Sequence, residues 1–344
     1  MKTGPNSGIA GQLSPPFFIV GAPRSGTTLL SRILDHHSRI AVYPESHYYP
    51  LFRADLDLYG DLRQPPNLQR FIEDVGRVTQ MQGAVNPAAT EEFLEALVQP
   101  SFEGVLATLL QIHARKQGKV RCGEKTPGHH AYLDEMLERF PDSPVIFVLR
   151  DPRDTVLSIR RAFGTSLKGA AWMWNQAFMS YHRFSHQVHL VRYEELVREP
   201  RKTVEAVCAV LGEPFEFEMF RFFERIPDRL ASLPNFSKLL KAVDADSVGN
   251  FRQMSRHEVQ WVEAACAEGM EALAYPFTMP PPKPLRISAP TKLDFLLDRL
   301  RYYGRDWRRW RRGWMRWKIV LRLRIRYFLS LRPLVCFDTH KPDL

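Results

Sequence analysis

Residues 17–44 constrain the fold more than any other stretch of the chain. Four apolar residues, FFIV from position 17, are typical of a buried parallel strand, and Gly21 and Gly26 bracket the short turn that follows. Beyond the turn, apolar residues spaced three and four apart predict a helix. Because a glycine-bounded turn at a helix N-terminus offers backbone N–H groups and about half a positive charge, the sequence predicts an anion-binding site here.

The turn matches the ATP-binding pattern G-x-x-x-x-G-K-[ST] in spacing but not in charge. Thr28 holds the Ser/Thr position, Thr27 stands at the lysine position, and Arg24 places a cation inside the turn. An ATPase uses that lysine to reach the outer phosphates of its nucleotide. Its replacement favours a ligand with a short 5′-phosphate group over a triphosphate.

The segment GAPRSGTTLL, placed after an apolar strand, resembles the 5′-phosphosulfate loop of sulfotransferases that use 3′-phosphoadenosine-5′-phosphosulfate (PAPS). The resemblance implies an α/β fold with a P-loop-like three-layer core, in which helices flank a central parallel sheet. It also implies PAPS as donor and 3′-phosphoadenosine-5′-phosphate (PAP) as product. A glycine-rich turn of some other α/β protein is the alternative. The implied donor-binding residues of the loop are Arg24, Ser25, Gly26, Thr27 and Thr28.

Glu45 follows a second short apolar run and lies 21 residues after Arg24. In tyrosylprotein sulfotransferases a glutamate at this offset is the general base, so the resemblance implies that Glu45 removes the proton of the acceptor hydroxyl. Sulfation of a hydroxyl needs a base within hydrogen-bond reach of the attacking oxygen. A carboxylate in a surface turn is the alternative interpretation.

The segment GEKTPGHH follows a short predicted strand at residues 120–122. Lys125 stands where the family carries a lysine that contacts the phosphosulfate, which implies that it stabilises charge on the bridging oxygen as the S–O bond breaks. Cytosolic sulfotransferases use a histidine near this lysine as base, so His129 is an alternative to Glu45. An unperturbed histidine titrates at about pH 6.5, which suits that role, although a structural histidine is also compatible.

A second strand-to-helix unit, PVIFVLRDPRDTVLSIRRAF, occupies residues 144–163. Asp151 is predicted as the helix N-cap, with Pro152 at the first helical position. Arg150 at the strand tip and Ser158 two turns into the helix match the 3′-phosphate site of the family. An arginine fork suits a terminal phosphate dianion. Because the 3′-phosphate distinguishes PAPS from ordinary nucleotides, this match supports the resemblance independently; a surface arginine is the alternative.

Two more donor contacts are implied by the resemblance. The YEEL-x-x-x-P pattern that begins at residue 193 is common in the family and brings Tyr193 near the adenine, although a core tyrosine fits the pattern equally. Residues 246–277 resemble the family's closing segment, in which a basic loop folds over the donor. Arg252 is the candidate there for a second 3′-phosphate contact, in a loop that departs from the family's lysine- and glycine-rich version.

Cysteine usage and hydropathy bear on compartment and cofactors. The four cysteines are far apart and lack metal-ligand spacing, which predicts no metal site and favours a reducing, cytoplasmic compartment. Residues 1–14 lack an apolar core segment, so no secretory signal is predicted there. No apolar run of about 18 residues predicts a membrane-spanning helix.

The net charge of +10 comes from the C-terminal segment, because residues 299–332 contain thirteen Lys or Arg against one acidic residue. Tryptophans recur there at helical spacing, at Trp307, Trp310, Trp314 and Trp317. A basic helix with a tryptophan face is typical of the interface of an anionic membrane. Docking on the catalytic domain, polyanion binding, and a strand at LRLRIRYF are the alternatives, and no nucleic-acid partner is expected.

The predicted protein is a PAPS-dependent sulfotransferase acting on an acceptor hydroxyl of a glycan, lipid, tyrosine or small molecule, at the inner face of a membrane or in the cytoplasm. The alternatives are a P-loop nucleotide kinase and a catalytically inactive, membrane-associated nucleotide-fold protein. The sequence predicts neither the acceptor nor the oligomeric state.

The predicted organisation is a flexible N-terminus (1–14), a sulfotransferase domain (15–277) with a helical acceptor-side insertion (46–119), a proline-rich linker (278–290) and a basic amphipathic C-terminal segment rich in Trp and Arg (291–344).

Overall fold

The computed structural model describes residues 15–77, 90–225, 243–280, 283–291 and 294. Its strands are β1 (Phe17–Gly21), β2 (Ile40–Tyr43), β3 (Arg121–Lys125), β4 (Val145–Leu149) and β5 (His189–Arg192). These strands of the described chain form one parallel sheet in the order β2-β3-β1-β4-β5. Because the strands are parallel, all their carboxyl ends lie along one edge, where open α/β sheets bind ligands.

Helices connect and cover the strands. The α-helices are α1 (Thr27–Asp35), α2 (Tyr48–Phe52), α3 (Pro65–Arg77), α4 (Thr90–Glu95), α5 (Phe102–Lys116), α6 (Leu133–Arg139), α7 (Pro152–Phe163), α8 (Leu167–Phe184), α9 (Tyr193–Arg198), α10 (Pro200–Leu211), α11 (Arg256–Ala265) and α12 (Ala267–Ala272). Shorter 3-10 helices span Leu56–Tyr59, Pro127–Tyr132, Phe217–Arg225 and Asn250–Gln253.

The sheet is buried on both faces. Successive residues of a strand point to opposite sides, and β1 follows this rule: Phe18 packs into a cluster with residues of α5, α7, α8, α11 and α12, whereas Phe17 and Ile19 pack with residues of α1 and α10. All residues of β1 are buried. The predicted three-layer α/β core with a central parallel sheet is therefore confirmed.

Strand β1 lies between β3 and β4, and the strand order reverses beside it. In the sheet, β2 and β3 lie to one side of β1, and β4 and β5 lie to the other. At the tip of β1, Gly21 has φ 143°, and a Cβ there would come within 2.0 Å of the carbonyl oxygen of Val148. Only glycine permits this approach, which starts the first loop directly beside the tip of β4.

Residues 46–119, predicted as a helical insertion, contain α2 to α5 over their described part. Tyr48, Tyr49, Phe71 and Phe102 are buried and pack ring against ring, with Tyr48 and Phe102 centred 4.5 Å apart. These aromatic side chains form the core of the insertion. None of the helices in the described part of the chain is long and apolar enough to span a bilayer. Residues 1–14 and the basic segment from 295 onward lie outside the described residues.

Candidate active site

The loop from Gly21 to Thr28 forms the centre of the candidate site. Gly26 has φ 97°, and a Cβ there would lie 2.4 Å from Cδ2 of Tyr193, so close packing and conformation both require glycine. Arg24 has φ 67°, a backbone conformation that costs a non-glycine residue about 1–3 kcal/mol. Loop strain of this kind concentrates at functional sites.

Ser25 is fully buried in this loop, yet its hydroxyl has no hydrogen-bond partner among the described residues. Helix α1 begins one residue after Gly26, without a side-chain cap on its N–H groups. Buried polar groups are normally paired. An unpaired buried hydroxyl next to uncapped helix N–H groups fits the oxygens of a phosphate or sulfate, as the sequence predicts for the 5′ end of PAPS.

Glu45 and Lys125, both predicted as catalytic, form an ion pair with Oε1 and Nζ 2.5 Å apart. The same Nζ lies 3.2 Å from the hydroxyl of Thr28, so the lysine reaches both the first loop and the carboxylate. The Lys125 side chain is 5% exposed and that of Glu45 is 38% exposed. The carboxylate is therefore partly exposed to solvent, whereas the lysine is buried.

The ionisation of Glu45 is controlled by its neighbours. Burial by itself would raise the pKa of this carboxyl, but the charge of Lys125 and hydrogen bonds from His47 and Lys125 hold the pKa well below its ordinary value. His47 contributes through Nε2, which lies 3.2 Å from Oε2 of Glu45. Glu45 is therefore ionised at neutral pH, the state that a proton acceptor requires.

His129, the alternative base, lies behind this ion pair. Its side chain is fully buried, and its Nδ1 is 3.1 Å from Oε2 of Glu124. The other oxygen of Glu124 accepts hydrogen bonds from the backbone N–H and hydroxyl of Ser46 and from the hydroxyl of Thr126. Ser46 and Thr126 each follow one member of the ion pair in the chain. This buried network thus fixes the backbone next to Glu45 and next to Lys125.

Arg150 extends from the end of β4 and is almost completely buried. Its guanidinium lies over the ring of Tyr193, 4.5 Å from the ring centre, and donates to the carbonyl oxygen of Ser247. Its Nε has no hydrogen-bond partner among the described residues. An unsatisfied buried guanidinium N–H fits a further anion, as expected at the 3′-phosphate position.

Arg24 and Ser158 connect the loop after β1 to α7, the helix after β4. Nε of Arg24 donates to the hydroxyl of Ser158 at 3.3 Å. Burial and the positive charge of Arg150 lower the pKa of Arg24, and the charge of Glu45 opposes them. Two arginines that repel each other in a partly buried site create a positive field suited to a multiply charged anion.

Tyr193 and Arg252 occupy different surroundings. Tyr193 is buried between Gly26 and Arg150, so its ring packs against both the loop after β1 and the residue that follows β4. Arg252 is exposed in the 3-10 helix Asn250–Gln253, with its guanidinium 5.8 Å from the ring centre of Phe251. That segment joins the site through Ser247, which accepts from Arg150.

Each described strand of the sheet thus has one predicted site residue at or just beyond its carboxyl end; from β1 to β5 these are Arg24, Glu45, Lys125, Arg150 and Tyr193. Sequence reasoning missed His47 and Glu124. Glu124 is one of three charged residues in the short strand β3, RCGEK, all of them buried. An acidic residue in a strand of a buried sheet was a usable signal, since a buried carboxylate needs partners. Within the part of the chain that the structure describes, no cluster of His, Cys, Asp or Glu is arranged to hold a metal.

The comparisons with known proteins point to one family. The family model described as "Sulfotransferase family" matches residues 15–217. The nodulation protein NoeE of Sinorhizobium fredii is 26% identical over 279 residues, which cover 71% of this chain and 62% of that protein. The protein-tyrosine sulfotransferase of Drosophila melanogaster is 24% identical over 213 residues, which cover 58% of this chain and 38% of that protein.

A solved structure has the same fold. The sulfotransferase domain from the Synechococcus PCC 7002 olefin synthase aligns with a TM-score of 0.53 at 23% identity, covering 78% of this chain and 98% of that domain. The matched regions span from 33% to 62% of the length of the curated relatives.

Proposed function

The chain belongs to the sulfotransferase family, and we propose that it transfers a sulfuryl group from PAPS to the hydroxyl of an acceptor. One observation carries the proposal: the buried polar groups without partners among the described residues include the hydroxyl of Ser25 and Nε of Arg150, which stand just beyond the carboxyl ends of the neighbouring strands β1 and β4. They lie in separate strand-to-helix loops that the Arg24–Ser158 hydrogen bond joins. Two linked anion positions suit a donor with a phosphate at each end of its ribose.

The proposed donor site follows from this arrangement. The first loop, from Arg24 to Thr28, would hold the 5′-phosphosulfate with backbone N–H groups and hydroxyls. Arg150 and Ser158 would hold the 3′-phosphate, with Arg252 as a second cation above it. Tyr193, packed on Gly26 and under Arg150, would stand beside the nucleoside.

PAPS, when bound, supplies an activated sulfuryl group joined through oxygen to the 5′-phosphate. The acceptor oxygen forms a bond to sulfur as the S–O bond to the phosphate breaks, Glu45 takes the hydroxyl proton, and PAP leaves with the bridging oxygen. Lys125 stabilises the charge that develops on that oxygen, together with Arg24. These cations neutralise the charge, and no metal is invoked.

The contact between Lys125 and Glu45 gives the lysine a second role. In the donor-free site its charge holds the pKa of Glu45 low, and a carboxylate of low pKa is a weak base. If Nζ of Lys125 moved from Glu45 toward the negative charge on the donor, the ionised form of Glu45 would lose the stabilisation that this cation provides. Glu45 then becomes more basic when the donor is in place.

The acceptor and its location complete the proposal. Glu45 is 38% exposed, which leaves room for a hydroxyl to reach it. We propose that the basic segment at residues 299–332 holds the enzyme at an anionic membrane surface on the cytoplasmic side, since each Lys or Arg near such a surface contributes about 1 kcal/mol. An acceptor at that surface, such as a lipid headgroup or a glycan, would then be concentrated near the site.

A sulfate-transfer screen tests the proposal. Purified protein is incubated with sulfur-labelled PAPS and a glycan, a glycolipid, a tyrosine peptide or a small phenol, with anionic vesicles present or absent. Label should appear in at least one acceptor class, and Arg24→Ala should abolish most of it. Failure of the wild-type protein to bind PAP would contradict the proposed donor outright.

A further inference from the structure

Asp154 is a buried carboxylate that the proposed chemistry does not use. It lies in the first turn of α7, with its side chain 1% exposed. Its Oδ1 accepts the backbone N–H of Phe251 at 2.7 Å, and its Oδ2 accepts that of Gly249 at 2.8 Å. Oδ2 also lies 3.2 Å from a terminal nitrogen of Arg150. One carboxylate therefore binds both Arg150 and a distant loop.

That loop, residues 247–253, is held against the β4–α7 junction. The carbonyl oxygen of Ser247 accepts from Arg150, and the ring of Phe251 lies 4.1 Å beneath the guanidinium of Arg153. Gly249 has φ 78°, and a Cβ there would come within 2.6 Å of the guanidinium of Arg252. The position of Arg252 therefore depends on the same backbone turn whose N–H groups Asp154 binds.

The contacts of Arg150 also show which side of its guanidinium is engaged. Asp154 and Ser247 both bind the terminal nitrogen Nη2 of Arg150, whereas its buried Nε has no partner among the described residues. A planar guanidinium presents its donors in a fixed fork. Fixing one terminal nitrogen therefore sets the direction in which the free Nε–H points.

We propose that Asp154 is a positioning residue that gives the site its selectivity for a nucleotide with a 3′-phosphate. It does so by orienting Arg150 and by fastening the 247–253 loop beside it, without touching the donor. The inference rests on the proposed function, because it assigns the 3′-phosphate to the Nε side of Arg150.

The test is calorimetric titration of wild-type protein and Asp154→Asn with PAP and with AMP, which lacks the 3′-phosphate. Asparagine keeps the shape but turns one acceptor oxygen into a donor that faces an N–H group. PAP affinity should fall about 30-fold, the loss typical of a hydrogen bond to a charged group. AMP affinity should change by less than about threefold. Equal losses for both ligands would overturn the inference, since that pattern reports general damage.

Glu258→Gln is the matched control. Glu258 of α11 pairs at 2.7 Å with Arg160 of α7, the helix that contains Asp154, but both side chains are about one-third exposed. Its replacement should leave both affinities unchanged; a loss of PAP selectivity equal to that of Asp154→Asn would contradict a specific role for Asp154.

Hydrogen exchange of the wild-type protein gives a second test that does not depend on a folded variant. PAP should slow amide exchange in peptides covering residues 246–254, and AMP should not; equal protection would overturn the inference. The two proposals fail differently. A wild-type protein that binds PAP and AMP equally refutes the donor assignment, whereas a variant that keeps the wild-type preference for PAP refutes only the role of Asp154.

Discussion

Arg24 and Ser158 are 134 residues apart in the chain, yet Nε of the arginine donates to the serine hydroxyl at 3.3 Å. The bond joins the loop after β1 to the helix after β4. Because Tyr193 packs on Gly26 and lies under Arg150, a second contact links the same two loops. The two anion positions are thus parts of one site at the carboxyl edge of the sheet, as a single nucleotide donor requires.

Arg24→Ala should lower turnover by about 10²–10³, the loss typical of removing one preorganised charge donor from a site of developing negative charge. The measurement is the initial rate of labelled sulfate transfer under saturating PAPS. Arg201→Ala is the control, because that side chain is 64% exposed in a surface ion pair and should have no effect. Turnover within about threefold of wild type would refute a role for Arg24 in the chemistry.

Arg150→Ala should weaken binding of PAP far more than binding of AMP, since the lost guanidinium faces the 3′-phosphate. A loss of about 10–100-fold for PAP is expected from one charge-assisted hydrogen-bonding group. Titration calorimetry measures the affinity for both ligands, and Arg160→Ala in the following helix, α7, is the control. If both nucleotides lose affinity equally, Arg150 is not the 3′-phosphate ligand.

The pH dependence of kcat/KM distinguishes the two candidate bases. The pKa of Glu45 lies well below its ordinary value of 4.5, so this carboxylate stays ionised as pH falls and becomes protonated only in strong acid. We therefore expect no acid limb between about pH 5 and 7. A histidine base would lose activity below about pH 6.5. Glu45→Gln should lower kcat by about 10²–10⁴-fold without weakening the binding of PAP.

A fall of wild-type kcat/KM between about pH 7 and 5 that is absent from the residual activity of His129→Asn would transfer the role of base to His129. Glu195→Gln controls for surface carboxylates, because that side chain is 57% exposed.

Lys125→Met should move the acid limb of kcat/KM to higher pH. The cation that lowers the pKa of Glu45 is removed, whereas burial, which raises that pKa, remains. The carboxylate then becomes protonated at a pH closer to neutrality. Turnover should also fall by about 10²–10³ from lost charge stabilisation. A variant that, like the wild type, shows no acid limb between about pH 5 and 7 would show that Lys125 does not control Glu45.

Deletion of residues 291–344 should abolish binding to anionic vesicles while leaving the catalytic domain folded. The thirteen basic residues at 299–332 supply the attraction, which salt should weaken in the full-length protein. Cosedimentation with phosphatidylserine vesicles measures binding, and neutral vesicles are the control. A truncated protein that unfolds would show that the segment is part of the core instead.

Local pattern predicted the elements that carry the site. An apolar run, a glycine turn and helical spacing indicated β1, its loop and α1, and Asp151 caps α7 as expected, accepting from the N–H of Arg153. Strand order was not predicted, because pairing of β1 with β3 and β4 depends on residues about 100 positions away. The Glu45–Lys125 contact is non-local for the same reason.

Asp154 and His47, which sequence reasoning also missed, lack a local signature. Asp154 sits in the first turn of a helix, where acidic residues are common because they favour the helix dipole. Its role depends on a loop 95 residues further along the chain. His47 adopts a left-handed conformation, φ 51°, that its sequence does not indicate, and only that turn brings its ring to Glu45.

Titration of the wild-type protein with PAP and with AMP tests the central claim most directly, because the two ligands differ only in the 3′-phosphate. Two anion positions in one site predict that PAP binds about 10²-fold or more tightly than AMP, the difference typical of one buried, charge-paired phosphate. Equal affinity for the two nucleotides would contradict the account.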